Sequence, residues 1–241
     1  MRDRIKAKRA PLEGAIPLAF IAILAIGILL GINLPRQKEG DNSDLEKGES
    51  ATEKTFPSND PAAPKKSTVL SIAIPAVDKD GNGALAEIIA DFNPGSGITS
   101  IEVSTGLPLI SPETQKSLIT AVNLARKNAR KGGGASTDIS FKIIGGSEIV
   151  TGRSAGAAIA VLTLAGLEGN KLKNNILITG AINEDGSIGR VGFIEEKATS
   201  LNGTNYTTLI VPMGEKITSA PAGIKIIEAG NFSEGFALMT E

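Results

Sequence analysis

Between Gly14 and Pro35 the chain carries no charged side chain and is rich in Ile, Leu and Ala. A helix of roughly 20 such residues matches the hydrocarbon thickness of a bilayer, so this stretch is expected to cross a membrane once. Arg2, Arg4, Lys6, Lys8 and Arg9 precede it against Asp3 and Glu13, whereas Arg36 and Lys38 after it are soon outweighed by Glu39, Asp41, Asp44 and Glu46. Lys and Arg set orientation. Residues 1–13 are therefore expected to be a basic cytoplasmic segment, 14–35 the transmembrane helix of a single-pass protein of the cell membrane, and the remainder extracytoplasmic. A cleaved signal peptide is the alternative, but the apolar run is long for one and Leu34-Pro35-Arg36 is a poor small-residue cleavage site.

Residues 36–67 are dominated by Lys, Glu, Asp, Ser, Asn and Pro, with almost no large apolar side chain. Such a segment cannot bury enough surface to offset its ordering entropy, and it reads as a flexible linker. From Thr68 the pattern becomes globular and continues through 241. Val69–Val77 and Ala84–Phe92 read as strands joined in a hairpin by Lys79-Asp80-Gly81-Asn82-Gly83. Ile98–Val103 and Ile139–Ile144 read as strands. Glu113–Lys131 has helical spacing, with Leu118, Ala121, Val122 and Ala125 on one face, and Gly132-Gly133-Gly134 stops it. Ser154–Leu167 is apolar nearly all round and reads as a buried helix. Ile176–Thr179, a hairpin turning at Asp185-Gly186, a helix from Ile194 to Leu201, and strands at Leu209–Pro212 and Ile224–Ile227 complete the pattern. The fold class expected is α/β, a mixed sheet with hairpins and packed helices, because hairpins argue against a purely parallel sheet.

Two absences narrow the chemistry. The 241 residues include no Cys and no His. Disulfides, thiol nucleophiles, Cys- or His-based zinc sites and Ser-His-Asp triads are excluded, so a hydrolytic base has to be Lys or a carboxylate. The formal net charge of −1 gives no global field for nucleic acid, and with seven Phe, one Tyr and no Trp there are few stacking platforms for it. Neither a cofactor nor a metal is expected.

Within Thr151-Gly152-Arg153-Ser154-Ala155-Gly156, Ser154 heads the buried helix amid small residues. A backbone there can approach a substrate closely, and the unpaired N–H groups of a helix start, those of Gly152, Ser154 and Ala155 among the candidates, can face a developing oxyanion. The plain alternative is a helix N-cap, a position that favours Ser. Further on, Ile194, Lys197, Ala198 and Leu201 share one helical face, so Lys197 interrupts an apolar stripe. Desolvation favours its neutral amine, which could take a proton from a serine. A lysine that snorkels its amine to water is the alternative.

Taken together, the two motifs resemble the proteolytic domain of the Lon proteases, Ser-Lys peptidases with G-x-S-A-G at the nucleophile and then T-G-E/A-I, a hairpin and G-x-V-x-x-I/V-G-G-x-x-E-K. The matching residues are Gly152-Arg153-Ser154-Ala155-Gly156, Thr179-Gly180-Ala181-Ile182 and Gly189-Arg190-Val191-Gly192-Phe193-Ile194-Glu195-Glu196-Lys197. A weaker likeness runs from about Ser71 to Met213 and includes Thr105-Gly106. The resemblance implies a Lon-like α/β domain at 68–241, Ser154 as nucleophile, Lys197 as general base, Thr179 as the hydroxyl that orients the lysine, and a homo-oligomeric ring. Arg153 departs from the family, whose bacterial members have Pro there and whose soluble archaeal-type members often have Asp. No G-x-x-x-x-G-K-[ST] phosphate loop occurs in the sequence, so cleavage is expected without nucleotide. The anchor is similar to that of the archaeal-type Lon.

The expectation is a membrane-anchored, ATP-independent serine endopeptidase acting on unfolded or exposed polypeptide segments. Its alternatives are a catalytically silent Lon-fold binding or scaffold module and a Ser-Lys peptidase of the signal-peptidase type, which is mainly β. Asp78-x-Asp80-x-Asn82-Gly83 imitates a calcium loop but has Ile89 where a bidentate Glu is needed, and reads as a turn. Sequons stand at Asn202, Asn205 and Asn231. The basic run Arg126–Lys131 reads as a solvated helix C-terminus.

Overall fold

The computed structural model describes residues 66–103, 106–130, 134–145, 149–215 and 217–241. The segments expected at 1–13 and 14–35, and the linker up to its last residues Lys66 and Ser67, lie outside the described residues, as do Thr105, Lys131, Gly132 and Gly133. Among those described, no helix is long and apolar enough to cross a membrane.

Among the described residues the fold is mixed α/β, with four helices. Strand β1 (Thr68–Val77) turns at Asp78–Asn82 into β2 (Gly83–Pro94), antiparallel, with Ile72 opposite Ile88 and Ile74 opposite Ala86. The turn is closed by the Asp78 carboxylate, which accepts from Asp80 N (2.9 Å) and Asn82 N (2.8 Å), so the calcium-loop imitation is a hairpin turn. β3 (Thr99–Ile101), β4 (Leu109–Ile110), β5 (Thr137–Ile144) and β6 (Ile149–Val150) follow. The main sheet runs β1-β2-β5-β3, antiparallel except for β3 on β5, while β4 pairs with β6 in parallel. Period-2 alternation puts Ile88, Ala90 and Phe92 of β2 and Ile139, Phe141 and Ile143 of β5 on one buried face.

Helix α1 (Pro112–Asn128) lies between β4 and β5 in the sequence, and α2 (Gly156–Glu168) follows β6. α1 starts where Ser111 accepts from Thr114 N and Pro112 needs no donor, and it buries Leu118, Ala121, Val122 and Ala125, the stripe read from spacing. It ends earlier than expected. Ala129 is extended, and Arg130 is drawn to Glu168, its backbone N donating to Oε1 at 3.0 Å and its Nε lying 3.4 Å away. Helix α2 packs against α1 and the main sheet and is buried from Gly156 to Ala165, which explains its lack of a polar face. Gly166 gives room to the Phe92 ring, since a Cβ there would lie 2.1 Å from Cζ.

After α2 come β7 (Ile176–Ile178), the hairpin of β8 (Ala181–Ile182) and β9 (Ile188–Gly189), α3 (Ile194–Thr199), β10 (Thr208–Pro212) and β11 (Lys225–Ala229). A second sheet, β11-β10-β7, is wholly parallel. It shares a smaller core with α3, made of Leu177, Ile194, Ala198, Leu201, Leu209 and Val211. A final helix, α4 (Phe232–Met239), had no counterpart in the pattern reading.

One expectation is corrected outright. Arg126 is not part of a solvated helix end. Its guanidinium donates to Gly134 O, Thr137 O (3.0 Å) and Thr99 Oγ1 (3.2 Å), stitching α1 to the start of β5 and to β3. Carbonyls left open by the loop at 134–137 claim the cation before water does.

Candidate active site

Ser154 lies in a tight turn two residues before α2 and is half-buried, so the helix begins slightly later than its apolar pattern suggested. The N-cap of α2 is Ala155, with no side-chain cap bond. The capping role that would explain a serine here is therefore not performed by Ser154.

What fixes the turn is its carbonyls. Thr114 Oγ1 donates to Gly152 O at 2.8 Å, and Ser117 Oγ donates to Arg153 O at 3.2 Å. Gly180 N (2.9 Å) and Thr179 Oγ1 (3.3 Å) donate to Ser154 O. Three successive carbonyls are thus turned into the protein, toward α1 and the end of β7. In a trans peptide the C=O and N–H point in opposite directions, so the amides of Arg153, Ser154 and Ala155 are turned the other way. Among the described residues, the N–H groups of Ser154 and Ala155 donate to no acceptor. Of the three residues expected at an oxyanion site, Ser154 and Ala155 supply open donors. Gly152 contributes a hinge at φ +91, where a Cβ would meet nothing within 4 Å. Close packing finishes the turn, because a Cβ on Gly156 would sit 2.7 Å from Ser117 Oγ and 2.9 Å from Ile182 N.

Lys197 lies on α3 and is only 5% exposed, so it does not snorkel. Its Nζ donates to Gly192 O at 3.0 Å, and its backbone N donates to Phe193 O. Burial pushes its pKa down from 10.5 to about 8, against the opposing carboxylate charges of Glu215 and Glu196. The side chain of Glu215 is held by Arg190, whose Nε lies 3.2 Å from Oε2 and whose Nη2 donates to Gly214 O at 2.7 Å. Phe193 has φ 58 and is 64% exposed. A left-handed conformation costs a non-glycine residue about 1–2 kcal/mol.

Thr179, 1% exposed, is brought directly to the serine turn rather than to the lysine. Among the described residues no hydrogen bond joins Lys197 Nζ to Ser154 Oγ or to Thr179. Catalytic hydrogen bonds commonly tighten only when substrate is bound. The sequence reading missed Thr114 and Ser117, both buried at 1% and 3%. Their signal was present, since they sit on the same face of α1 as Leu118 and Ala121 and are polar where that stripe is apolar. A separate cleft of about 640 Å³, lined by Glu87, Lys173 and Tyr206 among others, includes none of Ser154, Thr179 and Lys197. No family model matches the sequence, and no curated protein matches it either.

Proposed function

We propose that this chain is a serine endopeptidase of the Lon type, tethered to the membrane by residues 14–35, with its catalytic domain at 68–241 outside the cytoplasm. Ser154 attacks the scissile carbonyl, Lys197 as a neutral amine takes the serine proton and later returns it to the leaving amine, and the amides of Ser154 and Ala155 receive the oxyanion. The observation that carries this reading is the serine turn itself. A serine that caps nothing is held by three inward carbonyls, and the donors beside it are left open. The buried lysine agrees with it: with a pKa of about 8 and one N–H donated to Gly192 O, the neutral amine keeps its lone pair available. Its substrates are unfolded or exposed polypeptide segments, cleaved without nucleotide, and a ring of identical chains is the assembly that the family resemblance implies.

The test is hydrolysis of unfolded casein by the full chain in detergent, with Ser154→Ala in parallel. Cleavage by wild type, absent in the variant and independent of ATP, is the expected result. Cleavage that survives Ser154→Ala sinks the assignment. Protease protection on intact cells tests the topology, which is wrong if the catalytic domain is shielded until lysis.

One observation favours a second reading, a Lon-fold binding module that leaves the dyad unused: Lys197 Nζ is bonded to Gly192 O and not to Ser154. Labelling of Ser154 by a serine-reactive phosphonate separates the two, because only an activated serine reacts.

A further inference from the structure

Arg153 immediately precedes the candidate nucleophile, and both its ends are fixed. Its carbonyl accepts from Ser117 Oγ (3.2 Å) and Gly156 N (3.0 Å). Its guanidinium Nη2 donates to Asn183 Oδ1 at 3.1 Å. Asn183 is fixed in turn, with Nδ2 donating to Ser187 Oγ at 2.9 Å, and Ser187 Oγ donating to Asp185 Oδ1 at 2.7 Å. The guanidinium is therefore docked on the β8–β9 hairpin through a neutral amide. The nearest carboxylate in that chain of bonds, Asp185, is engaged by the hydroxyl and backbone N of Ser187. The ion pairs among the described residues are Arg130–Glu168, Lys142–Glu102 and Arg190–Glu215, so Arg153 has no carboxylate partner there. It remains exposed, with most of its five N–H donors uncommitted. An arginine that is prepositioned, charged and unpaired has a fork shaped for a carboxylate.

We propose that Arg153 is a specificity residue that receives a carboxylate of the polypeptide substrate beside the scissile bond. This rests on the peptidase reading above and names the substrate chemistry of that same site. The carboxylate has two possible sources, an Asp or Glu side chain or the free C-terminus of a short substrate, and the same guanidinium fits both.

The test uses the full chain in detergent and matched quenched peptides that differ only by Glu against Gln next to the cleaved bond, or by a free against an amidated C-terminus. Cleavage is measured as kcat/KM. Binding of the same peptides to the Ser154→Ala form is measured by fluorescence anisotropy. A charge-assisted bond of this kind predicts a preference for the carboxylate peptide of about tenfold in low salt, shrinking as salt rises. Arg153→Gln reduces that ratio to about one, and Arg153→Lys retains part of it, with melting temperatures showing that both variants are folded. A preference for the Glu peptide over the Gln peptide assigns the side chain as the ligand, and a preference for the free over the amidated peptide assigns the C-terminus. A ratio in Arg153→Gln equal to that of wild type overturns the proposal, as does a wild type that prefers neither carboxylate. If wild type cleaves nothing, the peptidase reading fails, while the anisotropy ratio still decides whether Arg153 binds carboxylates.

Discussion

The serine turn and the lysine segment are held by different kinds of force. Around Ser154, hydroxyls and an amide from α1 and from the end of β7 grip three carbonyls, so the turn's geometry is imposed by distant parts of the chain. Around Lys197, the fastenings are local. Gly192 O and Phe193 O lie within five residues, one of them strained, and the surrounding charges of Glu215 and Glu196 act through space. On the peptidase reading proposed above, one half of the site is a matter of position and the other a matter of proton affinity. Substitutions in the two halves should therefore leave different marks: lost rate at every pH in the first, a displaced pH profile in the second.

If Ser154 and Lys197 are the proposed nucleophile and base, the largest effects are expected from removing either. Ser154→Ala and Lys197→Arg are each expected to lower kcat by at least about a thousandfold, because groups that act as a unit fail together and a guanidinium does not give up its proton. Substantial peptidase activity in Lys197→Arg would break the assignment of the base. Stability separates this pair. The fall of the Lys197 pKa from 10.5 to about 8 corresponds to about 3 kcal/mol in favour of the neutral amine in the folded state. The folded state binds this proton more weakly than the unfolded one, so the full penalty is felt below pH 8, fades as pH rises toward 10.5 and vanishes above it. Lys197→Met is thus expected to melt above wild type at pH 7, with the gap closing by about pH 10.5. Equal melting temperatures at pH 7 would mean that the ammonium is better solvated than its burial suggests.

Intermediate effects are expected from the hydroxyls that grip the turn. Thr179→Val and Ser117→Ala remove one donor each, and losses of about 10–100-fold in kcat are expected, the size seen when supporting groups around a reactive centre are removed. The pH midpoint should stay at the wild-type value, since neither side chain hydrogen-bonds to the lysine among the described residues. A displaced midpoint in Thr179→Val would return Thr179 to the role that the family resemblance implies, orienting Lys197.

How far the sequence could carry these distinctions differs along the chain. The β1–β2 hairpin, α1 and the buried α2 follow from alternation, a helical stripe and a run apolar on every side, all of them local patterns. Lys197 was legible because a cation in an apolar stripe is anomalous wherever it occurs. α4 was also within reach: Asn231 accepts from Glu234 N, and Glu234 accepts from Gly230 N and Asn231 Nδ2, a cap written three residues apart. It was read instead as a sequon, Asn231. The grip of Thr114, Ser117 and Thr179 on the serine turn was not legible, because those donors come from α1 and from the end of β7, and only the packing of α1 against α2 and the adjoining strands brings them to it. Local spacing reports which residues are unusual, while the bonds they make depend on tertiary register.

The smallest effect tests the electrostatic half most cleanly. Glu215 carries a negative charge that favours the ammonium form of Lys197, opposing the desolvation that lowers its pKa to about 8. Glu215→Gln keeps the length of the side chain and an oxygen that can accept from Arg190 Nε, so the segment from Arg190 to Lys197 should keep its shape. What changes is charge. Removing the carboxylate withdraws one stabiliser of the ammonium and leaves the Arg190 cation uncompensated, and both changes favour the neutral amine. The midpoint of the rate against pH should therefore fall below that of wild type. Activity at pH 7 should rise by about twofold to threefold, while the plateau at high pH stays put, because a base already neutral gains nothing. A fraction of a pK unit is the magnitude appropriate to a partly solvated charge, and high salt should shrink it. Were the midpoint to move upward, Glu215 would be acting on the position of the loop and not on the proton affinity of Lys197. The lysine half would then be governed by geometry, as the serine half is.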